Sequence, residues 1–142
     1  MLMNGSDNNL FHYQFETKEN GPVEITDFVV EAVKKSGTQE GICVITIPHT
    51  TASISITSKW DPNGLEDIRD EMDRLIPTRI DFKHQHDTPQ DAAGHIKSVL
   101  LGPGIALIVH EGTPFLGHSQ GIFFNEFDGP RSRKVAIKCM EG

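Results

Sequence analysis

One run of residues, Gly41-Ile42-Cys43-Val44-Ile45-Thr46-Ile47, stays almost wholly apolar and β-branched until Pro48 interrupts it. A segment this short and this rich in branched side chains is a strand, and its continuous apolarity predicts a central strand covered on both faces. The segments able to pair beside it are also short. Phe11, Tyr13, Phe15 and Thr17 alternate with His12, Gln14 and Glu16, and Ile54 and Ile56 alternate with Ser55 and Thr57. Ile105 to Val109, Ile122 to Phe127, and a last segment from Arg131 to about Met140 with Val135 and Ile137 facing inward complete the strands.

Three stretches between them carry helical spacing. Thr26 to about Lys35 puts Phe28, Val29, Ala32 and Val33 on one face, with Thr26 as cap and Gly37 past the end. Asp61-Pro62 opens a second helix whose inner stripe is Leu65, Ile68, Met72 and Leu75, and Pro77 stops it. A third runs from about Ala92 to Leu101, ending at Gly102-Pro103-Gly104. Short strands joined by turns such as Asn20-Gly21-Pro22 and Asp128-Gly129-Pro130 predict an α+β fold. The expected form is a mostly antiparallel sheet curled into a sandwich or partial barrel with about three helices. The 142 residues, 37% of them hydrophobic, suit one domain over 11–142, with residues 1–10 frayed.

Charge and composition narrow the function. A formal net charge of -7 argues against broad phosphate neutralisation, so no nucleic-acid partner is expected. Neither a signal-peptide pattern nor a membrane-length apolar run is present, and Cys43 and Cys139 lack metal-type spacing. A cytoplasmic protein with no membrane partner is the expectation.

The chemistry concentrates in two places. Asp81 to Gly102 holds three of the seven histidines, His84, His86 and His95, and a second group, His49-Thr50-Thr51-Ala52-Ser53, follows the break at Pro48. Neutral imidazoles are good zinc ligands, and a catalytic zinc takes three protein ligands and keeps one open position. His49, His86 and His95 are the expected metal ligands, with His84 in reserve. Two alternatives stay open: a solvated loop whose histidines only titrate, and histidines acting as general acid or base and as phosphate donors. For a phosphate, Thr50, Thr51 and Ser53 offer hydroxyls, Lys97 a point charge, and Arg131 and Arg133 guanidinium forks. Glu126 lies in an aromatic strand, where a carboxylate must be paired or face a pocket. His110, beside Glu111, fits a structural role as well as a site role, and His12 reads as surface.

Taken in order, His49-Thr50-Thr51-Ala52-Ser53, Asp61-Pro62, Asp91 and Ala93 before His95-Ile96-Lys97-Ser98, Leu101-Gly102, His110, Gln120-Gly121-Ile122, Glu126 and the Arg-rich last strand resemble the YjbQ-like family, often labelled secondary thiamine-phosphate synthases. The resemblance runs from about Phe11 to Met140. It implies a compact α+β fold, a homotrimer, and a cleft near a subunit interface. It also implies an accessory activity joining a pyrimidine pyrophosphate to a thiazole phosphate, which would require cationic groups and a divalent ion on the leaving pyrophosphate. On that reading His49, Gln120 and Glu126 are catalytic and the ligand is a small phosphorylated molecule. The chain departs from the family in two places: Gly117-His118-Ser119-Gln120 stands where Gly-Thr-Trp-Gln is common, and Thr57-Ser58 where Asn-Glu is common. Two further functions fit the same residues: a non-catalytic trimeric module for an anion or small metabolite, and metal-dependent hydrolysis of a phosphate ester.

Overall fold

In the computed structural model, which describes residues 2–142 with side chains from Asn8 onward, the alternating segments pair as antiparallel strands. The order is β1 (Leu2–Asp7), β2 (Leu10–Glu16), β3 (Gly21–Glu24), α1 (Thr26–Ser36), β4 (Gly41–Thr46), β5 (Ala52–Ser58), α2 (Pro62–Leu75), α3 (Pro89–Leu101), β6 (Gly104–His110), β7 (Thr113–Pro114), β8 (Gln120–Glu126) and β9 (Ser132–Glu141). Six strands form one sheet, β1-β2-β9-β4-β6-β7, and three form another, β3-β8-β5. The result is the expected single-domain α+β fold with a curled antiparallel sheet and three helices.

Period-two alternation decides which side chains meet. Phe11 and Tyr13 of β2, Ile45 of β4, Val135 and Ile137 of β9, Ile54 of β5 and Phe124 of β8 share one buried core with Val29, Ala32 and Val33 of α1. The valine, isoleucine and phenylalanine side chains among them each contribute about 1.5–3 kcal/mol when fully removed from water. Tyr13 stacks on Phe28 with centroids 4.9 Å apart, and Phe15 meets Phe124 edge-on at 5.1 Å, joining the two sheets.

Several expectations need correction. β4 buries Cys43 and Ile45 but leaves Ile42 and Thr46 exposed, because its second face carries no covering layer among the described residues. Gly21-Pro22 is an edge strand rather than a turn, a place where proline's missing N–H is tolerated. Thr26 does not cap α1; its hydroxyl donates to Glu24 Oε2 at 2.7 Å and accepts from the Ile122 N–H at 3.0 Å, tying the helix start to β8. Gly37 does end α1, at φ 74°. Leu2–Asp7 is a strand paired with β2, where the sequence predicts a frayed end. Among the described residues no helix is long and apolar enough to cross a membrane.

The elements that frame the site are α3 and the β5 and β8 ends beside it. Thr88 caps α3 by accepting from the Asp91 N–H at 3.1 Å, with Pro89 in the first turn, so the helix starts three residues before the expected Ala92. Ser98 donates to the Ala52 carbonyl at 2.8 Å. Gly94 lets the helix lie directly on β5, since a Cβ there would meet Thr51 Cβ and Cγ2 at 3.2 Å.

Candidate functional site

Asp91 and His95 are one turn apart on α3, so a carboxylate and an imidazole project side by side from the same face. His84 comes in from the preceding loop. Its Nε2 lies 3.2 Å from Asp91 Oδ2, His95 Nε2 lies 3.1 Å from the same oxygen, and the two ring centroids are 5.1 Å apart. One ligand atom from each of the three residues lies within 4.8 Å of the others, which suits a single cation. Asp91 is nearly buried and both imidazoles are part-exposed, so one side of the cluster faces solvent.

The protons on His95 sharpen this. Nδ1 is 3.0 Å from the Thr50 carbonyl oxygen, which can only accept, so Nδ1 carries a hydrogen and donates. A neutral ring then turns a lone pair at Nε2 toward a carboxylate oxygen. Two acceptors face each other unless a proton or a metal ion lies between them. A backbone carbonyl that fixes the far nitrogen of a histidine is also the usual support for a metal-ligating ring.

Three open clefts border this cluster, the smallest of them running past His84 toward Gln85 and Pro89. The polar one, about 440 Å³, is lined by His49, Thr50, Thr51, Asp87, Asp91, Asp128, Arg131 and Arg133. The remaining one, about 410 Å³, runs along His84, His95 and Ile96.

Behind the polar cleft lies a closed ion pair. Glu126 has no exposed surface and Arg133 is 3% exposed. Arg133 Nε donates to Glu126 Oε1 at 2.8 Å and Nη2 donates to Oε2. Thr17 Oγ1 adds a bond of 2.6 Å, and the Phe127 and Asp128 N–H groups donate to Oε2 at 3.0 and 3.2 Å. Burial alone would push the Glu126 carboxyl up, but the Arg133 and Thr17 bonds, the Arg133 charge and the Asp128 amide outweigh it and hold the carboxyl below its usual range. Arg133 Nη2 also reaches the Thr51 hydroxyl at 2.9 Å and its carbonyl at 3.2 Å. This pair is the pin that joins β5, β8 and β9 under the cleft, and its charges are used internally rather than offered to a ligand.

Of the residues expected as metal ligands, the structure brings together His95 and the reserve His84, and it adds Asp91 to them. His49 Nε2 accepts the Lys134 N–H at 2.8 Å, which occupies its lone pair and leaves only Nδ1–H to face outward. Burial, then the Arg133 charge, lowers the His49 pKa and keeps the ring neutral. His86 is exposed and outside the cluster. In the sequence Asp91 stands only among the motif residues of the resemblance; the signal that marks it as a ligand is the spacing Asp-x-x-x-His on a helix, which puts both groups on one face.

The expected phosphate groups scatter. Thr50 meets the site through its carbonyl and Thr51 through its bonds to Arg133, while Ser53 is fully buried and accepts from Asn125 Nδ2 at 3.1 Å. Lys97, 3% exposed, turns to the other face of α3 and pairs with Asp73 of α2 at 2.6 Å. Two helix positions from His95 is about 200° around the axis, which explains the separation. Arg131 stays at the cleft, with Nε and Nη2 bonded to Asp128 at 2.7–3.2 Å. Gln120 is at the opposite end of β8 from Glu126, six residues and about 20 Å away, and its Oε1 accepts from the Gly117 N–H at 2.8 Å. His118 packs on Trp60 with centroids 5.3 Å apart, so an aromatic does stand beside that stretch but comes from another element. His110 pairs with Glu40 at 2.8 Å on the surface, away from the cluster.

Comparison with known proteins gives one consistent answer. A family described as UPF0047 protein, YjbQ-like, matches residues 12–142. The chain is similar to a UPF0047 protein of Methanocaldococcus jannaschii, 42% identical and covering 92% of this chain and 94% of that one. It is also similar to the UPF0047 protein YugU of Bacillus subtilis, 36% identical with 87% and 92% covered. Among solved structures, a YjbQ/UPF0047 protein of Clostridium acetobutylicum superimposes with a TM-score of 0.86 at 38% identity, covering 91% of this chain and 98% of that one. A hypothetical protein of Aeropyrum pernix gives 0.87 at 27% identity, with 94% and 98% covered.

Proposed function

The chain belongs to the UPF0047 YjbQ-like family, and from that premise we propose that it is a divalent-metal enzyme acting on a small phosphorylated molecule. The ligands are His84 Nε2, His95 Nε2 and Asp91. The observation that supports this is the convergence of one ligand atom each from His84, Asp91 and His95 within 4.8 Å of one another, with the other ring nitrogen of His95 already committed to Thr50. Two histidines and one carboxylate with an open side fit zinc in a catalytic site. A zinc ion held there would supply Lewis-acid polarisation of a phosphoryl oxygen.

The chain's own groups supply orientation. His49 Nδ1–H and the guanidinium edge of Arg131 not spent on Asp128 are the donors available to phosphate oxygens in the polar cleft. Thr50 holds the His95 ring in place through its carbonyl. Arg133 and Glu126 keep the cleft floor rigid. Because Lys97 and Arg133 are spent on internal partners, a ligand carrying one phosphate suits the site better than two anionic substrates bound together.

Self-association is part of the reading. Met140, Ile42 and Ile108 stand opposite one another on the uncovered face of the larger sheet, and Phe115 follows beside Ile108. They are 39–63% exposed, a row more apolar than a solvent-facing sheet needs, and a homotrimer would cover it.

Elemental analysis of untagged protein purified without chelators tests the metal. About one zinc per chain is expected, lost in His95→Ala and Asp91→Ala and kept in His49→Ala and His86→Ala. Metal-free protein, or metal retained in His95→Ala, removes the proposal. Incubation with a pyrimidine pyrophosphate and a thiazole phosphate, beside a simple phosphate ester, separates coupled synthesis from phosphate release. Sedimentation velocity reads the assembly.

A further inference from the structure

The two cysteines stand directly across from each other on β4 and β9. Cys43 pairs with Cys139 in the antiparallel register, so both side chains leave the sheet on the same face, and both are buried in the main core as free thiols. The hydrogen-bond phase of this pair follows from its neighbours. The Cys139 N–H donates to the Asn9 carbonyl at 3.1 Å, on the β2 side, whereas the Gly142 N–H, three residues on, turns the opposite way and donates to the Glu40 carbonyl at 3.2 Å. A residue's N–H and C=O leave a strand on the same side. Cys139 therefore spends no backbone bond on β4, and Cys43–Cys139 is a non-hydrogen-bonded pair. In such pairs the Cα atoms are about 4.5 Å apart and the side chains approach most closely. A disulfide needs Cα atoms about 4.4–6.8 Å apart, so the register presents the two sulfurs for one.

We infer that Cys43 and Cys139 are a site of reversible covalent modification, a cross-strand disulfide formed at the expense of a small-molecule disulfide. The inference stands apart from the metal reading, since neither thiol belongs to the His84, Asp91 and His95 cluster. The reaction balances in two exchanges. The Cys139 thiolate attacks one sulfur of the reagent; the other sulfur leaves as a small thiol carrying the proton that Cys139 lost, and a mixed disulfide remains on Cys139. The Cys43 thiolate then attacks the Cys139 sulfur, the Cys43–Cys139 bond forms, and the second small thiol departs with the proton from Cys43. Two protein thiols are oxidised by two electrons and one small disulfide is reduced. Burial pushes both thiols up from their usual range, so exchange waits for the strands to part, and Cys139 is close to the end of β9, where a strand opens first. The bond joins two strands that also meet at the cleft, where the Lys134 N–H of β9 donates to His49, beyond the end of β4. It staples that framework without using a group that lines the polar cleft.

The test is made at equilibrium, so that slow access to the buried thiols does not decide it. The full-length chain is unfolded in urea and refolded by dilution into glutathione buffers of graded thiol and disulfide content, while a second set stays in urea. After acid quenching, free thiols are alkylated with N-ethylmaleimide and counted by intact mass. Folding and the disulfide must stabilise each other by the same factor. The equilibrium constant for disulfide formation is therefore expected to be about a hundredfold or more higher in the folded chain than in urea, as cross-linking a loop of roughly 100 residues implies. The product should be a single chain lighter by two hydrogen atoms and free of adducts. Cys43→Ala and Cys139→Ala, each with one thiol left, should show only the mixed disulfide with glutathione. An equal or lower constant in the folded chain, or a bond that links two chains instead of closing within one, overturns the inference.

Discussion

Replacing Arg133 with methionine removes the guanidinium that neutralises Glu126 and leaves a carboxylate with no exposed surface. That carboxylate would keep only Thr17 at 2.6 Å and the two amides at 3.0 and 3.2 Å as donors. An ion pair broken on one side in the interior costs about 3–5 kcal/mol, because the remaining charge stays out of water. In urea melts at pH 7 and matched protein concentration, a slope of about 1–3 kcal/mol per molar turns that into a midpoint lower by roughly 2 M. The pH dependence is the sharper readout. In the wild type the Glu126 carboxyl is held below its ordinary 4.5, so its stabilisation is present above that value and fades as pH falls through the folded-state pKa. Without Arg133, burial dominates and the folded-state pKa rises above 4.5. Glu126 then favours folding at low pH and opposes it as pH rises, so the variant's deficit should shrink between pH 7 and pH 5. The double variant Glu126→Gln with Arg133→Met should recover much of the loss. A deficit under about 1 kcal/mol at pH 7, or one that does not change with pH, would refute the buried-pair reasoning.

Lys97→Met should leave metal content unchanged and stability within about 1 kcal/mol, since Asp73 is largely exposed and stays solvated when its partner is gone; weakened binding of a phosphorylated ligand would return Lys97 to the site. Gly94→Ala gains about 1 kcal/mol of helix propensity but sets a methyl 3.2 Å from Thr51 and 3.4 Å from Phe127 Cβ. The helix must then retreat from β5, and zinc affinity, read by competition with a chromophoric chelator, should fall while the melting temperature moves little. Burial pushes the Cys43 thiol up to about 11, so the native protein should resist iodoacetamide at pH 8 and react once unfolded in urea. Rapid labelling of the folded chain would contradict the packing of β4 against β9.

Local patterns in the chain were enough for its elements. Alternation at Phe11 and Tyr13 set the inward face of β2, Asp61-Pro62 set the start of α2, and Gly37 set the end of α1, because each signal acts through neighbouring residues. The family was legible for the same reason: ordered motifs survive as strings. Which groups share a site was not legible in this way, since that depends on where distant segments pack. His49 lost its lone pair to the Lys134 amide only because β9 runs beside it, and Glu126 met Arg133 only because β8 and β9 converge under Thr51. The exposed face of β4 belongs here too, as continuous apolarity reports that a strand wants covering on both sides while the packing within one chain covers only one. Periodicity tells a side chain which way to point, and tertiary packing alone decides what it finds there.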